Sequence, residues 1–177
     1  VTKLPSIVTK TGDGGKTSLN FNERITKDDY LVEAYGSVDE LGCFLGLARA
    51  EALGRIKDDI FLLQKELFIL GAELATSLSN RGKLQRTVTK EMVDALEEKM
   101  ISYDHPDILK DWAIPGKTRL SAALDIARAS CRRAERGIVH LFFEDRFENK
   151  EILKYINRLS DFLWLMARWY EVTNGQE

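Results

Sequence analysis

From residue 37 onward, apolar residues recur at three- and four-residue spacing, the period of helices that bury one face. Val38, Leu41, Leu45, Ala48 and Ala52 form the first such stripe. Ser37 and Glu40 fit a capping box, with Tyr35 and Leu41 as an apolar staple across it, so a helix is predicted over 37–53. Ile60, Leu63, Leu67, Leu70, Leu74 and Leu78 predict a second over 56–78, and Met92, Val93, Leu96 and Met100 a third over 89–102. A fourth, capped by Thr118, carries Leu120, Ala123, Leu124, Ala127, Cys131, Ala134, Ile138, Leu141 and Phe142. Its roughly 26 residues would span about 39 Å. Residues 145–149 break the pattern, and a fifth helix over 150–173 is apolar around most of its circumference. Such a helix is central or covered by another subunit. Asn157, Asp161, Trp164 and Arg168 follow one another along its less apolar side.

The remaining segments read differently. Pro5 makes Leu4, Pro5, Ser6, Ile7 and Val8 an extended stretch, and three glycines in four residues follow at Gly12, Gly14 and Gly15. No strand-like alternation appears, and the basic run 80–86 reads as a solvated loop. The connection 103–117 holds Pro106, Trp112, Pro115 and Gly116, residues that plug a core end or wall a pocket. The expected fold is all-α: a five-helix bundle with an extended Gly-rich amino-terminal segment over 1–31, in one domain spanning 1–177.

At 177 residues the chain can bury roughly 70% of its unfolded surface. Composition, 44% apolar and 31% charged, is that of a soluble globular protein. A net charge of −2 argues against a general nucleic-acid binder, so any basic site must be local. No apolar run approaches the roughly 18 residues of a membrane span. Two cysteines, two histidines and no C-x-x-C argue against structural zinc, and no metal-ligating residue is assigned. The cytoplasm is the expected compartment.

Two stretches carry candidate chemistry. On the fourth helix Arg128, Arg132, Arg133, Glu135 and Arg136 lie within nine residues, and Arg128, Arg132 and Glu135 share one border of the buried stripe. Arg133 falls on a different side. Taken alone, such a cluster is more often a solvated helix face; against that, all four cations are arginine, whose planar fork suits phosphate or carboxylate. The second stretch, TKTGDGGKTSL at 9–19, surrounds its glycines with hydroxyls and lysines, as a phosphate cradle or a flexible tail would. The Walker pattern fails, because it demands glycine where Lys10 stands and a helix that residues 18–22 do not open. Asp39 near a helix start is explained by the helix dipole unless an arginine partner appears. Together the cations suit a nucleoside triphosphate. The chain supplies no nucleophile–base pair, which points to chemistry done by positioning substrates.

With these residues in register, the chain resembles the PduO-type ATP:cob(I)alamin adenosyltransferases. The matching motifs are TKTGDGGKTSL at 9–19, KDD at 27–29, EAYGSVDEL at 33–41, IPG at 114–116, CRRAER at 131–136 and NRLSD at 157–161. The resemblance implies transfer of the 5′-deoxyadenosyl group of ATP to the cobalt of cob(I)alamin, with tripolyphosphate leaving and Mg²⁺ accompanying ATP. It implies a homotrimer with active sites at the subunit interfaces and leaves room for a cobalamin reductase partner, with neither nucleic acid nor membrane involved. Thr9, Lys10, Thr11, Gly12, Thr17, Ser18 and Lys27 match the family's ATP-binding loop. Arg132, Arg133, Ala134, Glu135, Arg136 and Asn157 match its nucleotide contacts. Asp39 and Arg128 match an intersubunit salt bridge beside the cobalamin and, with Arg132, are the expected catalytic residues.

The corrin side departs from the family pattern. Trp112 stands where members often carry Phe near the lower face of the cobalamin, Lys117 replaces a glycine and Gly42 an asparagine. Two rival readings follow: a non-catalytic ATP- or cobalamin-binding regulatory or delivery module, and a phosphate-transferring enzyme.

Overall fold

The computed structural model describes residues 5–174. Leu4, the first residue of the stretch expected to be extended, lies outside them, and the rest of that stretch is instead a turn, in which the Val8 amide donates to the Pro5 carbonyl at 2.9 Å. Five α-helices carry the fold: α1 (Tyr30–Glu51), α2 (Gly54–Leu74), α3 (Lys90–Ile101), α4 (Arg119–Phe143) and α5 (Lys150–Asn174). α4 packs against α1 on one side and α5 on the other, with α2 against α1 and α3 against α5. The stripe on α4 is buried from Leu120 to Leu141, while Phe142 sits at its edge. Thr118 caps α4 as expected: its hydroxyl accepts from the Ser121 amide at 3.0 Å, and the Ser121 hydroxyl accepts from the Thr118 amide at 3.1 Å.

Three expectations are corrected. α1 begins at Tyr30, a full turn and more before Ser37, because Asp29 is the cap and accepts from the Leu31 amide at 2.8 Å. Arg146, beyond α4, pairs with Asp29 at 2.9 Å, and Leu31 and Ala34 extend the buried stripe backwards. Ser37 is therefore an interior helical residue, buried, and makes no capping box. α2 stops at Leu74 rather than 78. The Asn20 amide donates to the Ala75 carbonyl at 2.8 Å and its side chain to the Ala72 carbonyl at 3.0 Å, closing the helix end from a distant segment. The third correction is a two-stranded antiparallel sheet, β1 (Lys16–Ser18) and β2 (Arg24–Thr26), with Thr17 opposite Ile25. Strands this short show no period, and their turn depends on Phe21 and Asn22 in the left-handed region, with φ of 62° and 60°.

The basic run 80–86 also departs from a solvated loop. Leu78–Lys83 winds into a 3-10 turn, and the Arg81 guanidinium lies 4.3 Å from the Phe147 ring centroid while donating to the Thr76 carbonyl at 2.9 Å. Burial lowers its pKa against the pull of Glu73 and Glu148. Buried Glu73 accepts from the Val88 amide and from Asn149, both at 2.8 Å, and so ties the α2–α3 connector to the α4–α5 turn.

On the other side of α5, Tyr155 donates to Glu66 at 2.5 Å. Burial raises the Glu66 carboxyl above its ordinary range, outweighing the lowering by Tyr155 and Lys99. A raised folded value means the native state keeps its proton where the unfolded chain has lost it. Stability from this group is thus complete below the unfolded pKa and declines as pH rises through the folded one. Glu66→Gln keeps an acceptor for Tyr155 and removes the penalty. The variant should melt about 2–4 °C higher at pH 8, a gain that vanishes near pH 4, as read by thermal unfolding across pH.

Candidate functional site

The α4 arginines separate by direction. Arg132 and Arg136 are exposed, and among the described residues neither pairs with a carboxylate. Arg136 reaches only back to the Arg132 carbonyl, at 3.0 Å. Beside them Glu135 is half-buried and accepts from Asn157 of α5 at 3.1 Å. The Asn157 side-chain oxygen Oδ1 accepts from Arg158 at 2.9 Å, and Arg158 donates to Glu97 of α3 at 2.9 Å. Glu135 and Asn157 are thus held in place, while two cations beside them stay free for an anion. Ala134 is buried and lets the helices approach. Arg133 turns to α1, where it pairs with Glu40. Inward, burial pushes the Cys131 thiol well above its ordinary pKa, with Glu135 adding to the effect, and Sγ donates to the Ile156 carbonyl at 3.4 Å. That thiol is packing rather than a nucleophile.

The Gly-rich segment forms the rim of the β1–β2 hairpin. Lys10 is left-handed at φ 59° and Gly15 at 76°. The Thr9 and Thr11 hydroxyls lie 2.9 Å apart, and the Lys27 amide donates to the Gly15 carbonyl at 2.9 Å. A Cβ on Gly12 would stand 3.1 Å from Lys27 Nζ, so the glycine lets that cation fold over the loop. Lys10, Lys27 and Ser18 are exposed and Thr17 half-buried. Sequence reasoning missed Arg24. It bridges the hairpin, donating to the Ser18 hydroxyl at 3.1 Å and the Thr11 carbonyl at 2.8 Å. The cross-strand pairing with Ser18 that reveals its role appears only once the register is known. Among the described residues no hydrogen bond or ion pair joins this hairpin to Arg132, Glu135, Arg136 or Asn157.

Of the residues expected beside the corrin, Asp39 and Trp112 line two separate hollows, and Arg128 lines neither. Asp39 is exposed on a cleft of about 620 Å³ between α1 and α2, where Gly42, Gly46, Gly71, Ala72 and Ala75 keep the walls low. It makes no ion pair with Arg128, whose Nε lies 3.6 Å from Asp125 instead. Trp112 is 89% exposed on the loop before α4. With Ile114, Pro115 and Gly116 it walls a second hollow of about 530 Å³, floored by Arg168 and Glu171. In the connection 103–117 it is Tyr103, not Trp112, that joins the core, while Ile108 is buried in the wall of this hollow. Among the described residues no three metal-binding side chains cluster, and no helix is long and apolar enough to cross a membrane.

The chain is similar to known proteins over nearly its whole length. A family model described as cobalamin adenosyltransferase matches residues 7–170. The chain is 41% identical over 171 residues to the corrinoid adenosyltransferase of Citrobacter freundii, covering 94% of this chain and 96% of that one. It is 36% identical over 176 residues to that of Bacillus subtilis, covering 96% and 88%. Among solved structures, a variant of the PduO-type ATP:corrinoid adenosyltransferase from Lactobacillus reuteri, complexed with cobalamin and ATP, superposes with a TM-score of 0.85 at 32% identity, covering 96% of this chain and 92% of that chain.

Proposed function

Because the chain belongs to the cobalamin adenosyltransferase family, it is an ATP-dependent corrinoid adenosyltransferase, and we propose that its active site forms only between copies of the chain. The reaction joins the cobalt of cob(I)alamin to C5′ of ATP and breaks the C5′–O bond, releasing tripolyphosphate. Cobalt supplies the electron pair, so no side chain need act as base or nucleophile, in keeping with a Cys131 thiol held neutral by burial. The protein's share is to align C5′ with cobalt and to stabilise charge on the departing triphosphate.

One observation carries the interfacial reading. Arg132 and Arg136 stand exposed and free of carboxylates beside Glu135 and Asn157, on a face to which the chain's own hairpin makes no polar bond. In a homotrimer the segment 1–31 of one copy would cover that face of the next. Thr9, Lys10, Thr11, Gly12, Thr17, Ser18 and Lys27 would cradle the triphosphate, Arg132 and Arg136 would take its oxygens, and Glu135 with Asn157 would orient the nucleoside. Asp39 of one copy would meet Arg128 of another beside the corrin, with Trp112 shielding its lower face. The described residues form no protein cage for Mg²⁺, and the ion fits as a companion of the triphosphate, which brings its own oxygens. We place the enzyme in the cytoplasm, with a cobalamin reductase as its supplier of cob(I)alamin.

The product test is direct. Under anaerobic reduction with ATP and Mg²⁺, the absorbance spectrum should convert to that of adenosylcobalamin with one tripolyphosphate per turnover. ADP and phosphate as stoichiometric products would overturn the mechanism, and saturable binding without turnover would favour a delivery module.

A further inference from the structure

α4 and α5 share an ionic cluster that the assignments above leave unused. Arg168 of α5, 3% exposed, donates through Nη2 to Asp125 Oδ2 of α4 at 2.6 Å and lies 3.2 Å from Glu171 Oε1. The second oxygen of Asp125 faces Arg128 Nε at 3.6 Å. Two carboxylates and two guanidiniums thus meet where apolar side chains of equal size would hold the helices at least as well, since burying ions consumes most of what their attraction supplies. Packing alone does not account for them. Arg168 Nε and Nη1 and Arg128 Nε are also buried without a hydrogen-bond acceptor, so the cluster is not optimised as a local network.

Its layout suits another task. Asp125 is only 6% exposed and is gripped from the α5 side, so Oδ1 is a fixed point on the border of α4. Arg128 stands one turn further along, its Nε buried against that point while 30% of the side chain remains accessible. The guanidinium is thereby set with its Nε edge toward Asp125, an ion pair without a hydrogen bond, which leaves its two Nη groups for another partner. Arg168 and Glu171 also floor the hollow under Trp112, so the cluster lies between that loop and Arg128.

We propose that Asp125, pinned by Arg168, is a positioning residue that holds Arg128 in the orientation needed to meet Asp39 of the partner subunit beside the corrinoid. The inference rests on the interfacial reading of Arg128 and Asp39, and the test separates the two. Asp125→Leu/Arg168→Met/Glu171→Gln exchanges the three most buried members for neutral groups and leaves charged only Arg128, whose side chain is 30% accessible, so it should fold, as circular dichroism and thermal melting would report. The KM for cob(I)alamin should rise about tenfold or more while the KM for ATP stays within about twofold. In an Arg128→Ala background the same exchange should add nothing to the cob(I)alamin KM. An unchanged cob(I)alamin KM in a folded triple variant, or effects that multiply with Arg128→Ala, would overturn the proposal and leave the cluster as packing. If Arg128→Ala alone has a normal cob(I)alamin KM, the interfacial reading fails, and the proposal with it. Should the triple variant not fold, Asp125→Asn takes its place: a raised cob(I)alamin KM that Arg128→Ala abolishes supports the proposal, and an unchanged one overturns it.

Discussion

Arg132→Ala lowers kcat/KM for adenosyl transfer on the order of 10²–10³-fold while leaving the melting temperature almost unchanged, as steady-state kinetics and thermal unfolding would show. The two halves of this expectation have one cause. Arg132 is exposed and makes no ion pair with a carboxylate among the described residues, so its side chain contributes little to the fold. Surface substitutions of that kind stay within about 0.5 kcal/mol. Charge grows on the triphosphate as the C5′–O bond breaks, and a guanidinium aimed at it acts most strongly in the transition state. Arg132→Lys keeps the charge but loses the planar fork and should recover only part of the rate. Near-normal kinetics in Arg132→Ala would show this face of α4 to be a solvated surface.

Two inactive variants restore one another. Lys10→Ala/Lys27→Ala strips the hairpin of two exposed cations and should weaken ATP use by at least about 10²-fold, while Arg132→Ala damages the helix face. If each site takes its hairpin from one copy and its helices from the next, a random mixed trimer joins an intact hairpin to an intact face at about one site in four. Co-expression of the two variants should therefore return about a quarter of the unmutated activity, although each alone is nearly inactive. A site housed within one chain would show no recovery, and a sedimentation profile of fully active monomers would exclude the trimer outright.

The helices were legible because each satisfies its apolar stripe by local repetition, as on α4 from Leu120 to Leu141. Their ends were less so. α1 begins at Tyr30 because Arg146, more than a hundred residues away, holds its cap Asp29 in place, and α2 ends where Asn20 takes its last carbonyls. Ser37 and Glu40 matched a capping box in spacing, but a cap needs a chain that is not already helical. The hairpin escaped notice because three-residue strands have no period. The site shows the same division. Arg132, Glu135 and Arg136 could be grouped by helix angle, and Arg133 set apart by it. Arg24 had no local signal, since its partners are Ser18 across a strand pair and the Thr11 carbonyl.

Pattern and residue type alone thus decide five helices, the rejection of a Walker loop and the membership of the arginine cluster, since each depends on neighbours within a few turns of chain. Folding in three dimensions decides what each group is free to do. It pairs Arg133 with Glu40 and sets Arg128 beside Asp125, and among the described residues it leaves Arg132 and Arg136 without a carboxylate. Side-chain reach is a few ångströms, so partners distant in sequence are chosen only when helices pack, and which cations are left without a carboxylate is settled only after those choices are made.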